Sequence, residues 1–405
     1  MSARIDDSST TSRSGREHPA TGATIALLVA TAFFVLTQLY SAIPLISPVG
    51  EDLDADVTFA LSTVFSLCYA AGFVVWGPLA DQYGRKRIMA IGLIALAVAT
   101  IGSGFASSVP MLAVLRGAQG AVASSFAPVA LAYLSEAVPP NRRATAIGAM
   151  STAFLVAGIG GQAAASAIAL SLGWRWLFFG SGAVLALCLL GIAALVVEPR
   201  RAVGDSGLAG RFAAVGRVAI RPSVLLLSAA HLTLLLSFVA MYTALGPHVA
   251  ELGLQPSQVI WMRLVGLPGM FASLLAGPLS RRLGVASVAR LGFGLAAAGL
   301  LLEAALMGSL LGTALTSLVF VTGVALAVPA MITLFGEAAA PNRAGGMALN
   351  GFVLFLGASI GPMIAQLPLG FPLLLLGLAA LMLIAVLCLT GFARLATGRR
   401  SGTSA

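Results

Sequence analysis

Charge is scarce in this 405-residue sequence: Asp, Glu, Lys and Arg make up 9% of it, against 59% hydrophobic residues. A soluble chain of that length exposes far more charge, so the surface here faces lipid. Lysine is nearly missing, with Lys86 alone beside the arginines. A phosphate-binding loop needs the lysine of a GK[ST] motif. Lys86 sits instead in Gly84-Arg85-Lys86-Arg87, which excludes an ATP-driven pump within this chain. Cysteine is scarce too. Cys68, Cys188 and Cys388 stand singly in apolar runs, which excludes a disulfide framework or a zinc site and leaves small packing residues. No metal or cofactor is expected. Nor is any soluble stretch long enough to hold an enzyme or, despite the net charge of +9, a nucleic-acid-binding domain.

What the sequence does hold is long apolar runs of about 20 residues, enough for a helix to cross a hydrocarbon core of about 30 Å. They lack the alternation of barrel strands, so the expected class is an all-α membrane protein. Twelve transmembrane helices are predicted, near 24–46, 58–79, 88–106, 110–134, 144–170, 175–197, 223–246, 259–279, 285–307, 312–335, 345–367 and 372–393.

With both termini cytoplasmic, 20 of the 23 basic residues fall inside. They are Arg4, Arg13 and Arg16; Arg85, Lys86 and Arg87; Arg142 and Arg143; Arg200, Arg201, Arg211, Arg217 and Arg221; Arg281, Arg282 and Arg290; Arg343; and Arg394, Arg399 and Arg400. Arg175 lies outside, and Arg116 and Arg263 lie within spans. This bias orients the chain. Acidic Glu51, Asp52, Asp54 and Asp56 then form an outer loop, and Trp174, Trp176 and Trp261 fall at outer interfaces as an aromatic belt. Polar residues 1–22 are expected to be a disordered tail before an uncleaved first span, and 394–405 a second cytoplasmic tail. The expected location is a plasma membrane, a bacterial inner membrane, with the chain a monomer in the lipid bilayer.

The chain also repeats itself. Gly77-Pro78-Leu79 and Gly84 recur as Gly277-Pro278-Leu279 and Gly284, and Pro128, Glu136 and Asn141-Arg142 recur as Pro329, Glu337 and Asn342-Arg343. The offset is 200 in the first case and 201 in the second. Two pseudo-symmetric six-helix halves, 23–197 and 223–393, are thus joined by a central cytoplasmic loop, 198–222. Such parallel repeats build alternating-access transporters with the substrate site between them.

Twelve spans, a central loop and GPLADQYGRKR (77–87) between spans 2 and 3 resemble the major facilitator superfamily. Arg116-Gly117-Ala118-Gln119-Gly120 in span 4 resembles the RxxQG signature of its drug and metabolite exporters. The resemblance implies the major facilitator fold and an inner latch. Asp81 would cap the start of span 11 near Gly345-Gly346, and Arg85 would pair with Glu136. Asp81 and Arg85 are also one helical turn apart, Gly77 and Gly84 allow close approach and a tight turn, and Arg87 adds to the inside charge. The second copy has Arg281 and Val285 where the first has Asp81 and Arg85, so an asymmetric latch is expected.

Charges inside the bilayer need a reason. Arg116, with Gln119 one turn on and Gly120 beside it, reads as a cavity-facing arginine that relays a proton or binds an anionic group. The other reading is a structural arginine bonded to carbonyls. Arg263 and Glu303 are expected to form an ion pair, or else an outer gate or proton port. His231 is read as a buried neutral histidine bonded to a neighbour, or as a titrating group. Gln38, Tyr40, Tyr242 and Asn350 are candidates to line the cavity, and equally to bond helices together. Span 5 carries Gly158, Gly160 and Gly161, like the family's antiporters, but without their proline; Gly361-Pro362 stands in span 11 instead. The expected function is proton-coupled efflux of a small organic molecule, drug-like, sugar-like or a metabolite. The alternatives are an importer or facilitator of an organic anion held by Arg116, and a non-transporting receptor or scaffold.

Overall fold

The computed structural model describes residues 20–198, 207–340 and 342–401. Expectations for the rest of the leading tail, Arg200 and Arg201, and residues 402–405 fall outside them. All described elements are helices. Eleven are long and apolar enough to cross a membrane. The first half runs α1 (Gly22–Tyr40), α2 (Ala42–Leu53), α3 (Val64–Tyr83), α4 (Arg85–Gly104), α5 (Val109–Ala123), α6 (Ala127–Ala137), α7 (Pro140–Leu172) and α8 (Trp174–Leu195). A bridging helix, α9 (Leu208–Ala219), leads to α10 (Pro222–Glu251), α11 (Pro256–Val265), α12 (Leu267–Met270), α13 (Ser273–Leu283), α14 (Val285–Leu306), α15 (Leu310–Ala338), α16 (Arg343–Ala365) and α17 (Phe371–Ser401).

The expected twelfth traverse, span 4, is cut into α5 and α6, each too short to span alone. Pro128 sits in the first turn of α6, where its missing N–H and fixed φ suit a helix start but not a continuing helix. The break is wedged in place by close neighbours. A Cβ at Gly72 or at Gly92 would lie 1.8 Å from the hydroxyl of Ser124 or Ser125 respectively, so only glycine lets α3 and α4 approach. Span 1 bends at Ser41 between α1 and α2, and span 2 opens with a π turn at Phe59–Thr63.

The repeat is present in the backbone. Gly84 and Gly284 end α3 and α13 with φ of 104° and 83°, a region costly for a side chain. Gly92 packs on Ser125 between α4 and α5–α6, and Gly292 packs on Gly323 and Ala327 between α14 and α15. The halves meet where α3 lies on α16 and α7 lies on α11.

One expectation is corrected here, and one helix is added. Trp174 is buried against Phe178 in an apolar cluster rather than in an interfacial belt, with Arg175 stacked over its ring; Trp176 and Trp261 are exposed. The loop 198–222 is not merely polar. It holds α9, whose Val215 and Val218 are buried against the core, and α9 contacts α3 of one half and α16 of the other.

Candidate functional site

The segment 77–87 makes several contacts within its own half. Arg85 Nη2 lies 2.5 Å from Glu136 Oε1 and 3.4 Å from Asp81 Oδ1, while Arg87 is exposed. Glu136 is half exposed, so solvent screening leaves this pair worth at most about 1 kcal/mol. A partner invisible to motif reading holds the turn. Glu198, beyond α8, accepts from the backbone N–H of Arg85 at 2.7 Å and of Lys86 at 2.9 Å, capping α4 at the positive end of its dipole. Lys86 Nζ donates to the Ala193 carbonyl at 2.8 Å. The Gly345 N–H at the start of α16 is taken by Asn342 Oδ1 at 3.0 Å, from the cap position of the same helix. Gly77 has open space at its Cβ position, so of the two glycines only Gly84 is demanded by geometry.

Arg116 is fully buried and does not face a cavity. Nε donates to the Leu61 carbonyl at 2.7 Å, Nη2 to the Gln38 carbonyl at 2.9 Å, and Nη1 to Gln119 Oε1. The Leu61 carbonyl belongs to the π turn and the Gln38 carbonyl to the last turn of α1, just before the bend at Ser41, and lipid offers neither a substitute donor. The Phe65 ring lies 4.2 Å beneath the guanidinium. Gln119 Nε2 donates onward to Ser103 Oγ at 3.0 Å and to the Ala99 carbonyl at 3.2 Å. The cluster therefore ties α1, the π turn, α4 and α5 together. Gly120 completes it: a Cβ there would lie 2.1 Å from the Phe65 carbonyl oxygen. The structural reading of Arg116 replaces the cavity-facing one.

In the second half, Asn350 Nδ2 donates to His231 Nε2 at 2.9 Å, linking α16 to α10, with the imidazole fully buried. The expected Arg263–Glu303 ion pair is not made. Arg263 Nη1 instead donates across the interface to Gln162 Oε1 of α7, since α11 packs on α7. Glu303 is fully buried, and neither of its oxygens has a hydrogen-bond partner.

Between the halves runs an aromatic seam. Tyr40 packs edge-on against Phe238 at 6.0 Å, and Phe355 meets Tyr69 at 4.5 Å and Phe73 at 5.3 Å. Tyr242 extends it from Phe238, and the buried Tyr69 hydroxyl lacks a partner. Gln38 turns its side-chain amide to its own helix at Phe34. Gly158 faces Phe238 across the seam, whereas Gly160 and Gly161 pack on Phe33 and Thr37 of α1. At the acidic end Gln366 Nε2 donates to Asp56 Oδ1 at 3.2 Å and to Thr58 Oγ1, a second link between the halves. The Thr58 N–H, 2.8 Å away, and then Gln366 hold the Asp56 carboxyl below its ordinary range against a smaller opposing effect of burial.

Eleven membrane-length helical segments among the described residues, a repeated pair of halves, a seam between them and buried polar groups at their crossings define a multi-pass transporter rather than an enzyme. A profile of the Major Facilitator Superfamily matches residues 28–362, and the chain belongs to that family. The MFS-type transporter YybF of Bacillus subtilis is 27% identical over 90% of this chain and 91% of its own length. The cephamycin export protein CmcT of Amycolatopsis lactamdurans is 29% identical over 66% of this chain but 58% of its own. Among solved structures, an inward-facing, unoccupied bacterial homologue of the human lysosomal transporter Spinster superposes with a TM-score of 0.67. It is 19% identical, covering 91% of this chain and 95% of that one, a likeness of fold.

Proposed function

We propose that this chain exports small, uncharged and largely apolar organic molecules in exchange for protons, by alternating access to the seam between its halves. The observation that carries proton exchange is Glu303, a fully buried carboxyl with no hydrogen-bond partner. A lone carboxylate in a membrane interior is costly, so the group is held as the neutral acid and charges only when its surroundings change. The seam supports an apolar cargo: it offers aromatic faces with few polar handles, the Tyr69 hydroxyl among them. Export is supported by the likeness to CmcT, a cephamycin export protein. An organic-anion importer needs Arg116 free for its cargo, and three of its nitrogens already donate to protein oxygens.

In this reading the termini are cytoplasmic, and the 77–87 loop with Glu136 braces the inner gate of a monomer in a bacterial inner membrane. Everted membrane vesicles test it. An uncharged aromatic probe is expected to accumulate when an inward-acid gradient is imposed, and to leak out when an uncoupler is added. Accumulation unaffected by the uncoupler would remove proton exchange from the reading.

A further inference from the structure

The two halves bury unlike polar groups at the same depth. In the first, Ser103 of α4 is reached by Gln119, and Gln119 by Arg116, so the crossing of α4 and α5 is filled. In the second, 200 residues on, Glu303 of α14 stands at the crossing with α15, and this crossing is not satisfied. Both Glu303 oxygens and the hydroxyls of Thr313, Ser317 and Tyr242 are buried without hydrogen-bond partners. The register places Glu303 against the start of α15: Gly299 abuts Phe320 and Gly312 abuts Leu306, so residue 303 faces residues between them.

An arginine shares a neighbour with this group. The Tyr242 hydroxyl faces Ser317 on one side. On the other it lies 2.4 Å from where a Cβ of Gly266 would be, one turn beyond Arg263. Arg263 Nη2 itself comes within 3.3 Å of the Cβ position of Gly246, one turn past Tyr242. Arg263 and Glu303 thus both neighbour Tyr242, and Arg263 is held by the neutral Gln162 of the other half, with its Nε unpartnered.

We propose that Arg263 exchanges partners during the transport cycle: it bonds Gln162 when the acidic face is closed and Glu303 when that face is open. This rests on the proton-exchange reading above. With the cytoplasmic side open, the carboxyl O–H of Glu303 breaks and its proton passes to water there, and the carboxylate left behind pairs with Arg263 as the acidic face opens. When the pair separates, Glu303 takes a proton back and Arg263 returns to Gln162, drawing α11 onto α7. The physical driver is that a buried carboxylate needs a charged partner, and a buried guanidinium prefers a carboxylate to an amide. The proton then acts as a ligand with different affinity for the two states, which is the requirement for coupling.

No other charged group competes at this position among the described residues. From α10 come Tyr242, His248, which bonds the Met307 carbonyl at 3.1 Å just beyond α14, and the exposed Glu251 at the helix end, and from α11 comes Arg263. The charges of α13, α15 and α17, at Arg281, Arg282, Glu337 and Arg394, all lie at the opposite ends of their helices.

The test is a distance measurement on the full-length protein in lipid nanodiscs. Spin labels go at Glu51→Cys and Leu369→Cys, one in each half at the acidic face, in a background with the three native cysteines replaced by serine. The open population is expected to grow as pH rises. Gln162→Leu is expected to shift that transition to lower pH by at least about one unit, a tenfold change in equilibrium. Glu303→Gln, nearly isosteric, is expected to stay closed at every pH. A Glu303→Gln variant that opens with pH as the parent does overturns the exchange, as does a Gln162→Leu variant with an unmoved transition. Should either variant not yield folded protein, Glu303→Asp serves: an unmoved transition there also counts against the exchange, and a shifted one supports it. Proton-driven accumulation in vesicles persisting alongside a negative result would leave the transport reading intact and move the proton to another group. Opening that follows Glu303 without probe accumulation would leave the exchange intact and remove the proposed cargo class.

Discussion

Arg116 Nη2 donates to the main-chain carbonyl of Gln38, 2.9 Å away and 78 residues earlier in the chain. That bond turns a charge expected at a cavity into a rivet between helices. Arg116→Ala would leave the Leu61 and Gln38 carbonyls and the Gln119 amide oxygen without this donor, each costing about 1–3 kcal/mol. A fall of several degrees in apparent Tm is expected in detergent. Arg116→Lys should recover little, because an ammonium lacks the planar fork that reaches three acceptors. Full stability in Arg116→Ala with transport alone abolished would return the guanidinium to the cargo site.

Gly120 and Gly77 should behave oppositely although both sit in signature motifs. A Cβ at Gly120 would meet the Phe65 backbone at 2.1 Å, whereas one at Gly77 meets nothing within 4 Å. Gly120→Ala is expected to reduce the yield of folded protein severely, with Gly77→Ala near the parent, as read by size-exclusion profiles of fluorescent fusions. Equal profiles would contradict the close α3–α5 approach.

Glu198 is expected to matter as a helix cap. Its replacement by alanine frees the Arg85 and Lys86 N–H groups at the start of α4, a loss of about 1 kcal/mol for a cap of this kind. Hydrogen exchange should accelerate at residues 85–88 with little change in the middle of α4. Unchanged protection there would show that other groups hold the turn.

Asp81→Asn should impair transport while leaving insertion and expression intact. The substitution weakens the Arg85 pair at 3.4 Å but keeps the shape of the turn. Reconstituted protein turning over at the parent rate would remove the loop from the gating cycle.

The Asp56 clasp should be insensitive to pH in the range where transport is measured. Its folded-state value lies below the unfolded one of about 3.9, so its contribution is complete above that value and is lost only as pH falls through the lower one. Asp56→Asn is therefore expected to loosen the link to Gln366 without changing the shape of the transport profile between about pH 5 and 8. A profile reshaped by Asp56→Asn would make this carboxyl a coupling group.

The spans, the class of fold and the duplication were legible because they depend on features that run along the chain. An apolar run of sufficient length must be a helix in lipid, and Gly84 and Gly284 mark matching turns whatever surrounds them. The break in span 4 was less legible. Pro128 hinted at it, but the wedge of Gly72 and Gly92 on Ser124 and Ser125 exists only when three helices meet. Glu198 and Gln162 carried no signal, since a lone glutamate after a span and a lone glutamine within one fit many roles.

By itself, then, the sequence determined a twelve-span duplicated carrier and the end at which its arginines gather. Tertiary structure decided the partners: Arg116 is spent on carbonyls, Arg263 goes to Gln162 101 residues away, and Glu303 is left alone. The reason is physical. Hydrophobic length and charge bias act through the solvent and need no neighbour, but a buried hydrogen bond or ion pair exists only at about 3 Å. Which groups reach that distance depends on how α7, α10, α11, α14 and α15 pack, a relation between helices that no single span contains.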